Sequence, residues 1–408
     1  MKKYLNISTV LLLIFSSCKN QVSNNSNDGG FLQPISECVS TDSTPPVMDT
    51  TLLITDSGSR LTSPTVEWQE AQEACDFSHY EVSIGTYIGS SDILSFINIG
   101  NSLSFSQNYL DLDYSQNYFY NVVAVDRAGN RSTKVSSSPW MIFSAKTLTK
   151  LVLWLDASEK NTIKDNEGDS PEDLNFSNDV KTWLDQSNSN AIHNFSSIGS
   201  SLPSYDVREG GVRFNGSQQF MATADHADIN TSIIGQRTIV ATFKTSDDIS
   251  SRQVIYEEGG TVRGINIYIE DNKLRCGFWN IQNDGDGAQP YIEVSDNINK
   301  ESLYVVTYLF DYSHFLDRNS TDGTVECFIN GSSSGQVMTS SRLHPHSGDI
   351  GLGAMNDGSY FLNTGAISGD ESFFDGVLYE FLIYNSAHSK SDLDILNQTL
   401  QDKWIDEQ

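Results

Sequence analysis

Basic residues are scarce in this chain. Lys and Arg number 25 against 53 Asp and Glu, which leaves a formal net charge of −28. Such a chain is repelled by nucleic acid, whose binding rests on Lys and Arg neutralising phosphates. It also avoids anionic lipid surfaces, and the excess of acid accounts for solubility. Charged residues of either sign make up only 19%, too few for long solvated helices. No HExxH, P-loop or GxGxxG pattern occurs, so the signatures of zinc proteases, P-loop enzymes and dinucleotide binders are missing, and no serine nucleophile elbow is expected. The seven histidines include the pair His344 and His346 in "HPH", with no third metal ligand at a recognisable spacing.

What is plentiful is Ser, Asn, Thr and Gly, with 11% aromatics. That mixture suits short strands joined by turns. The 408 residues predict two or three domains at roughly 100–200 residues each. Residues 1–17 read as a secretory signal: Lys2 and Lys3, an apolar run Ile7–Phe15 too short to span a membrane, then Ser16 and Ser17. Cys18 follows, an arrangement that resembles the bacterial lipobox and implies lipidation of Cys18. The chain is then expected to be exported and held by its acyl chains at the outer membrane or cell surface. Residues 18–44 are Asn-, Ser- and Gly-rich and read as a flexible tether. Four further cysteines, Cys38, Cys75, Cys276 and Cys327, permit three disulfide pairings. Pairing within each region, Cys38 with Cys75 and Cys276 with Cys327, is the simplest.

Residues 45–145 predict a small β-sandwich. "TVEWQ" (65–69), "HYEVSIG" (79–85) and "NYFYNVVAVD" (117–126) alternate apolar and polar positions, and "DRAGN" ends the last of them with turn residues. Trp68, Leu112 and "YFYNVVAVDRAGNRS" in this order resemble fibronectin type III domains, which implies that Trp68 and the tyrosines are core. Residues 147–408 carry ten strand candidates, from "LVLWLDA" to "GVLYEFLIYN", the number for a two-sheet jelly roll. "SKSDLDILNQTLQDKW" (389–404) places Leu393, Leu396, Leu400 and Trp404 on one face of a short closing helix, with Ser389 and Asp392 as its cap. "LVLWLDAS", "WLDQSNSN", "VRFNGSQQF", "ECFINGSSSG", "IGLGA" and the closing segment resemble laminin-G-like, concanavalin-A-like jelly rolls of bacterial surface proteins. The fold class is therefore all-β, a fibronectin-like sandwich followed by a jelly roll.

Some hydrolases share that sandwich and place two carboxylates on alternate positions of one strand. Around Glu380 those positions hold Leu378 and Leu382, so Glu380 reads as a solitary, structural acid and the protein as no enzyme. The adjacent acids Glu257 and Glu258 face opposite sides of a strand and make no pair. Oxygen-rich loops suit calcium. Asp284 and Asp286 in "NDGDG" and Asn356 and Asp357 in "MNDGS" are the best such sets, although Asn, Asp and Gly belong in turns anyway. Trp279, Tyr291 and Tyr360 flank these loops and could offer ring faces to a sugar. The expected task is non-catalytic recognition of a glycan or a cell-surface protein. A glycan hydrolase with carboxylates from separate strands and a purely structural envelope scaffold are the competing readings.

Overall fold

The computed structural model describes residues 42–55, 63–73, 77–108, 110, 112–113, 116–285, 287–313, 323–348 and 350–404. The expected signal, the tether up to residue 41, Cys18, Cys38, Cys75 and Asp286 lie outside the described residues.

Seven strands fall between residues 52 and 136: β1 (Leu52–Ile54), β2 (Val66–Trp68), β3 (Phe77–Gly85), β4 (Leu94–Asn98), β5 (Ser104–Phe105), β6 (Phe119–Asp126) and β7 (Val135–Ser136). They form a three-stranded sheet, β1-β2-β5, and a four-stranded sheet, β4-β3-β6-β7. The period-two alternation places Tyr80, Val82 and Ile84 of β3 and Tyr120, Val122 and Ala124 of β6 in one core with Trp68, Leu112 and Tyr118. Tyr118 Oη accepts from the Asp113 amide at 2.7 Å and donates to the Asp113 carbonyl at 3.3 Å. This locks the turn before β6 by a buried phenol that reaches back to the backbone.

A second, separate hydrophobic cluster is built from residues 145–404. Its strands are β8 (Leu151–Asp156), β9 (Ile163–Lys164), β10 (Thr182–Trp183), β11 (Phe195–Ser197), β12 (Ser204–Asp206), β13 (Gly211–Asn215), β14 (Met221–Thr223), β15 (Gln236–Thr245), β16 (Gln253–Gly259), β17 (Arg263–Glu270), β18 (Lys273–Asn280), β19 (Gln289–Asn297), β20 (Leu303–Asp311), β21 (Gly323–Ile329), β22 (Ser332–Thr339), β23 (Ile350–Leu352), β24 (Gly358–Phe361), β25 (Gly365–Ser368) and β26 (Asp375–Tyr384). Two antiparallel sheets face each other. One runs β19-β18-β17-β16-β23-β14-β11-β10-β9; the other runs β12-β13-β26-β15-β20-β21-β22, with β8 also on β26. The helix α1 (Lys390–Trp404) buries Leu393, Leu396, Leu400 and Trp404. Ser389 caps it, its Oγ accepting from the Asp392 amide at 3.2 Å and donating to Asp392 Oδ2 at 2.7 Å. β20 and β26 meet α1 on one face, through Thr307 to Asn397 and through Glu380 to Lys403 and Trp404, and the opposite sheet covers the other. Near-continuous apolar sequence is the consequence.

Cys276 on β18 and Cys327 on β21 are joined by a disulfide with Cα atoms 6.2 Å apart. The two strands belong to different sheets, so the bond stitches the sandwich through its core.

Candidate functional site

Glu380 is the first place where folding departs from the strand-only reading. Its register partner on β8 is Asp156, so Glu380 is not solitary: a second carboxylate faces it from a strand more than 200 positions away in sequence. Alternation along one strand cannot reveal that neighbour. The pair is closed, however. Lys403 Nζ of α1 donates to Asp156 Oδ2 at 2.6 Å and to Glu380 Oε2 at 2.7 Å. The indoles of Trp154 and Trp404 donate to Glu380 at 2.7 and 2.8 Å. A bulge at Tyr379, between the pairs Thr242–Glu380 and Phe243–Leu378, turns that ring toward Trp404, with centroids 5.0 Å apart. Burial pushes the Glu380 carboxyl above its ordinary value, Asp156 adds to the rise, and Lys403 and Trp404 oppose it. No substrate bond fits between two acids bridged by an ammonium under a helix.

β16 carries two more buried acids, Glu257 and Glu258, on opposite faces as strand geometry requires. Glu258 points into the core. Arg237 Nη1 of β15 donates to both its oxygens, at 2.6 and 2.7 Å, and both side chains are fully buried. Tyr256 Oη donates to it at 2.8 Å. The guanidinium also donates to Asn385 Oδ1 at 2.8 Å and to the Asp228 carbonyl at 3.2 Å. Glu257 is fully buried on the other face; neither of its oxygens makes a hydrogen bond of ordinary geometry among the described residues, and the Asn356 amide is a nearby but longer-range backbone donor. Burial pushes its carboxyl well above the ordinary range; the Asn356 amide opposes this, and Glu258 and Asp357 reinforce it.

The sign of the resulting pH dependence is definite. In the unfolded chain Glu257 loses its proton near pH 4.3, while the folded chain keeps it to higher pH. From about pH 4.3 upward the native state holds the extra proton, and stability falls by about 1.4 kcal/mol per pH unit until the folded group ionises. Glu257→Gln lacks this slope. Its thermal midpoint is expected to pull ahead of the parent's as pH rises from 4.3, read by calorimetry across the window. Parallel curves for the two proteins would refute the assignment.

Apart from Asp286, which lies outside the described residues, the residues chosen from sequence for metal or ligand contact gather at one end of the nine-stranded sheet. Gly264 and Trp279 are register partners, as are Arg263 and Asn280. Trp279 Nε1 donates to the Gly260 carbonyl at 2.9 Å, and Arg263 donates to Asp284 from Nη2 at 2.6 Å and from Nε at 3.0 Å. Tyr291 and Tyr360 stack with centroids 5.7 Å apart and planes 19° apart, and Trp279 lies 6.1 and 6.5 Å from them. The hairpin β24–β25 folds over this face, tied down by Asn266 Nδ2 donating to the Tyr360 carbonyl at 2.9 Å.

The arrangement corrects part of the sequence reading. Trp279 is fully buried, so its ring is packing and cannot present a face to a sugar. Tyr291 and Tyr360 are half-buried. The Asp284 carboxylate is taken by Arg263, which holds it below its ordinary value. Asp357 is exposed with φ 65°, a left-handed turn position that Asp tolerates, and its amide is bound by Asp370 Oδ1 at 3.1 Å. Neither Asp284 nor Asp357 joins a group of three His, Cys, Asp or Glu donors among the described residues. The string Gly331–Gly335, "GSSSG", does have the G-x-S-x-G spacing. It opens the second strand of the β21–β22 hairpin rather than a strand-to-helix turn, and Ser333 Oγ donates to Glu326 at 2.7 Å. Arg263, the cation of this rim, had no sequence signal beyond its place at the start of a strand.

No protein-family model matches this chain, and no curated protein matches it. Solved structures similar to it include the receptor-binding domain of botulinum neurotoxin D, at 11% identity and a TM-score of 0.41, covering 62% of this chain and 53% of that one. The type G receptor-binding domain matches at 11% identity and a TM-score of 0.40, covering 62% and 52%. A type C neurotoxin structure, described as depending on two ganglioside molecules for cell entry, matches at 13% identity and 0.41, covering 62% and 51%. This chain therefore spans about half the length of those structures.

Proposed function

We propose that this protein is a non-catalytic surface protein of the cell envelope that recognises a glycan or a protein ligand in adhesion or attachment. The observation that carries the reading is the contrast between its buried acids and its rim. Glu380 and Asp156 are bridged by Lys403, and Glu258 is clamped by Arg237. At the rim, the Tyr291–Tyr360 stack and the Arg263–Asp284 pair collect on strands β17, β19 and β24 and the loop after β18, where a flat apolar face lies near fixed polar groups. On this reading the laminin-G-like sandwich grips the ligand. The region of β1 to β7 is a fibronectin-like spacer, an assignment supported by its β1-β2-β5 and β4-β3-β6-β7 orders and the Tyr118 lock. Cys18 carries the lipid that holds the protein at the outer membrane. Calcium is the ion proposed for the Asp284, Asp286, Asn356 and Asp357 loops, and its arrival would have to release Asp284 from Arg263.

The test is a glycan array and an envelope-protein pull-down with the chain from residue 19 onward, run with calcium and with a chelator. Tyr360→Ala is expected to weaken binding about tenfold, the equivalent of about 1.4 kcal/mol. Absence of any ligand favours a structural scaffold. Glycoside turnover abolished by Glu380→Gln would establish a hydrolase and overturn the proposal.

A further inference from the structure

Folding gathers two of the seven histidines on one carboxylate, far in sequence from the rim loops. β11 and β14 pair antiparallel, with Ser196 opposite Ala222 and Ser197 opposite Met221. The segment entering β11 therefore runs beside the segment leaving β14. His193 lies on the first, and His226 and Asp228 lie on the second. His193 Nε2 is 3.0 Å from Asp228 Oδ1 and 3.1 Å from Oδ2, and His226 Nδ1 contacts Asp228 Oδ1. The two rings meet edge to face with centroids 4.9 Å apart. One donor atom from each residue lies within 4.8 Å of the other two.

We infer that His193, His226 and Asp228 form a binding site for a divalent transition-metal ion of the zinc class. The donor set is two imidazole nitrogens and one carboxylate oxygen. Zinc takes such ligands at about 2.0–2.2 Å, and a tetrahedron with those bonds has edges of roughly 3.3 Å. The His193–Asp228 separation is already close to that edge. Calcium and magnesium prefer all-oxygen cages, so the nitrogens discriminate against them.

The three donors are held before any ion arrives. Residues 226–231 form a tight turn in which the amides of Ile229, Asn230 and Thr231 all donate to the His226 carbonyl, at 3.1, 2.9 and 3.0 Å. Asn385 Nδ2 and Arg237 Nη2 donate to the Asp228 carbonyl at 2.6 and 3.2 Å, which leaves the carboxylate to the histidines. His193 is buried, and its amide donates to Asp185 Oδ2 at 3.0 Å. These contacts fix the backbone that carries His193 and Asp228. His226 is exposed, its side chain at 45%, so the ion has an entry path and solvent supplies a fourth donor.

Without metal the same groups satisfy one another as a hydrogen-bonded trio. Binding replaces these hydrogen bonds with coordinate bonds. The site stands independently of the glycan-recognition reading.

Isothermal titration of the untagged, chelator-stripped chain from residue 19 onward with zinc chloride tests the site. One ion per chain is expected, with affinity at least about tenfold weaker in His226→Ala and in Asp228→Asn. Both positions reach solvent, and unchanged metal-free melting of each variant confirms that it folds. Cobalt(II) titration should give a visible absorption band in the parent that His226→Ala loses. The inference falls if the parent binds no stoichiometric zinc, if His226→Ala binds as tightly as the parent, or if His344→Ala abolishes binding instead.

Discussion

Arg237→Met should lower stability by about 3–5 kcal/mol, because it leaves the fully buried Glu258 carboxylate without its cation. Arg237 is the only cation bonded to Glu258 among the described residues, donating from Nη1 to both oxygens. Tyr256 Oη remains as one neutral donor and cannot balance the charge. Glu258 then protonates or drags water inward, and either response costs free energy. In a unit of roughly 250 residues the loss corresponds to a fall of about 6–20 °C in Tm. The second arm of the experiment is Arg237→Met with Glu258→Leu. Removing a buried pair together is often close to neutral, so the double variant should regain most of the loss, and the coupling energy follows from the cycle. If the single variant melts within about 2 °C of the parent, Glu258 is neutralised some other way and the clamp is not what holds these strands.

Removing the Cys276–Cys327 bond is expected to cost about 4 kcal/mol. The two cysteines are 51 positions apart, and freeing a loop of that length in the unfolded chain restores roughly this much conformational entropy in the chain-entropy account. The measurement is chemical denaturation of the oxidised chain against a Cys276→Ala, Cys327→Ala variant, alanine being chosen because both positions are buried. The midpoint should fall. The slope m should rise, since an uncrosslinked unfolded chain exposes more surface. Coincident curves would mean that the bond contributes nothing to holding the sheets together.

All ten strand candidates of the larger unit were legible, and the reason is burial. β15, β16, β17, β18, β20 and β26 are packed on both faces or nearly so, and their apolar runs stand out against polar turns. The strands that escaped notice are either very short, as β9 to β12 and β14 with two or three residues each, or polar. β19 and β22 are the edges of their sheets, and "SSSGQVMT" or "QPYIEVSDN" carries little apolar signal because an edge strand keeps one side in water. β24 and β25 escaped for a related reason: a hairpin lying over a sheet needs only Tyr360, Phe361 and Ile367 as anchors.

Site chemistry was harder to read, because it depends on which distant residues meet. Glu380 looked alone along its own strand, and Asp156 and Lys403 reach it only through the β8–β26 register and the last turn of α1. Glu257 and Glu258 were read correctly as facing apart, a property of a single strand. Their opposite environments, one acid clamped by Arg237 and one facing only the Asn356 amide among the described residues, depend on packing alone. His193 and His226 show the same limit: "DHAD" (225–228) displays two ligands, and the third arrives from 33 positions upstream.

The pairing of β8 with β26 also sets an order of events. Among the described residues, the earliest strand of the large sandwich pairs in its sheet only with the latest one. A polypeptide emerging N-terminus first must keep "LVLWLD" waiting until residue 384 is free, more than two hundred peptide bonds later. Contacts so distant close slowly, and the waiting segment is among the most water-averse in the chain. The sandwich is complete only when that last strand arrives, α1 docks and Lys403 settles between the two acids.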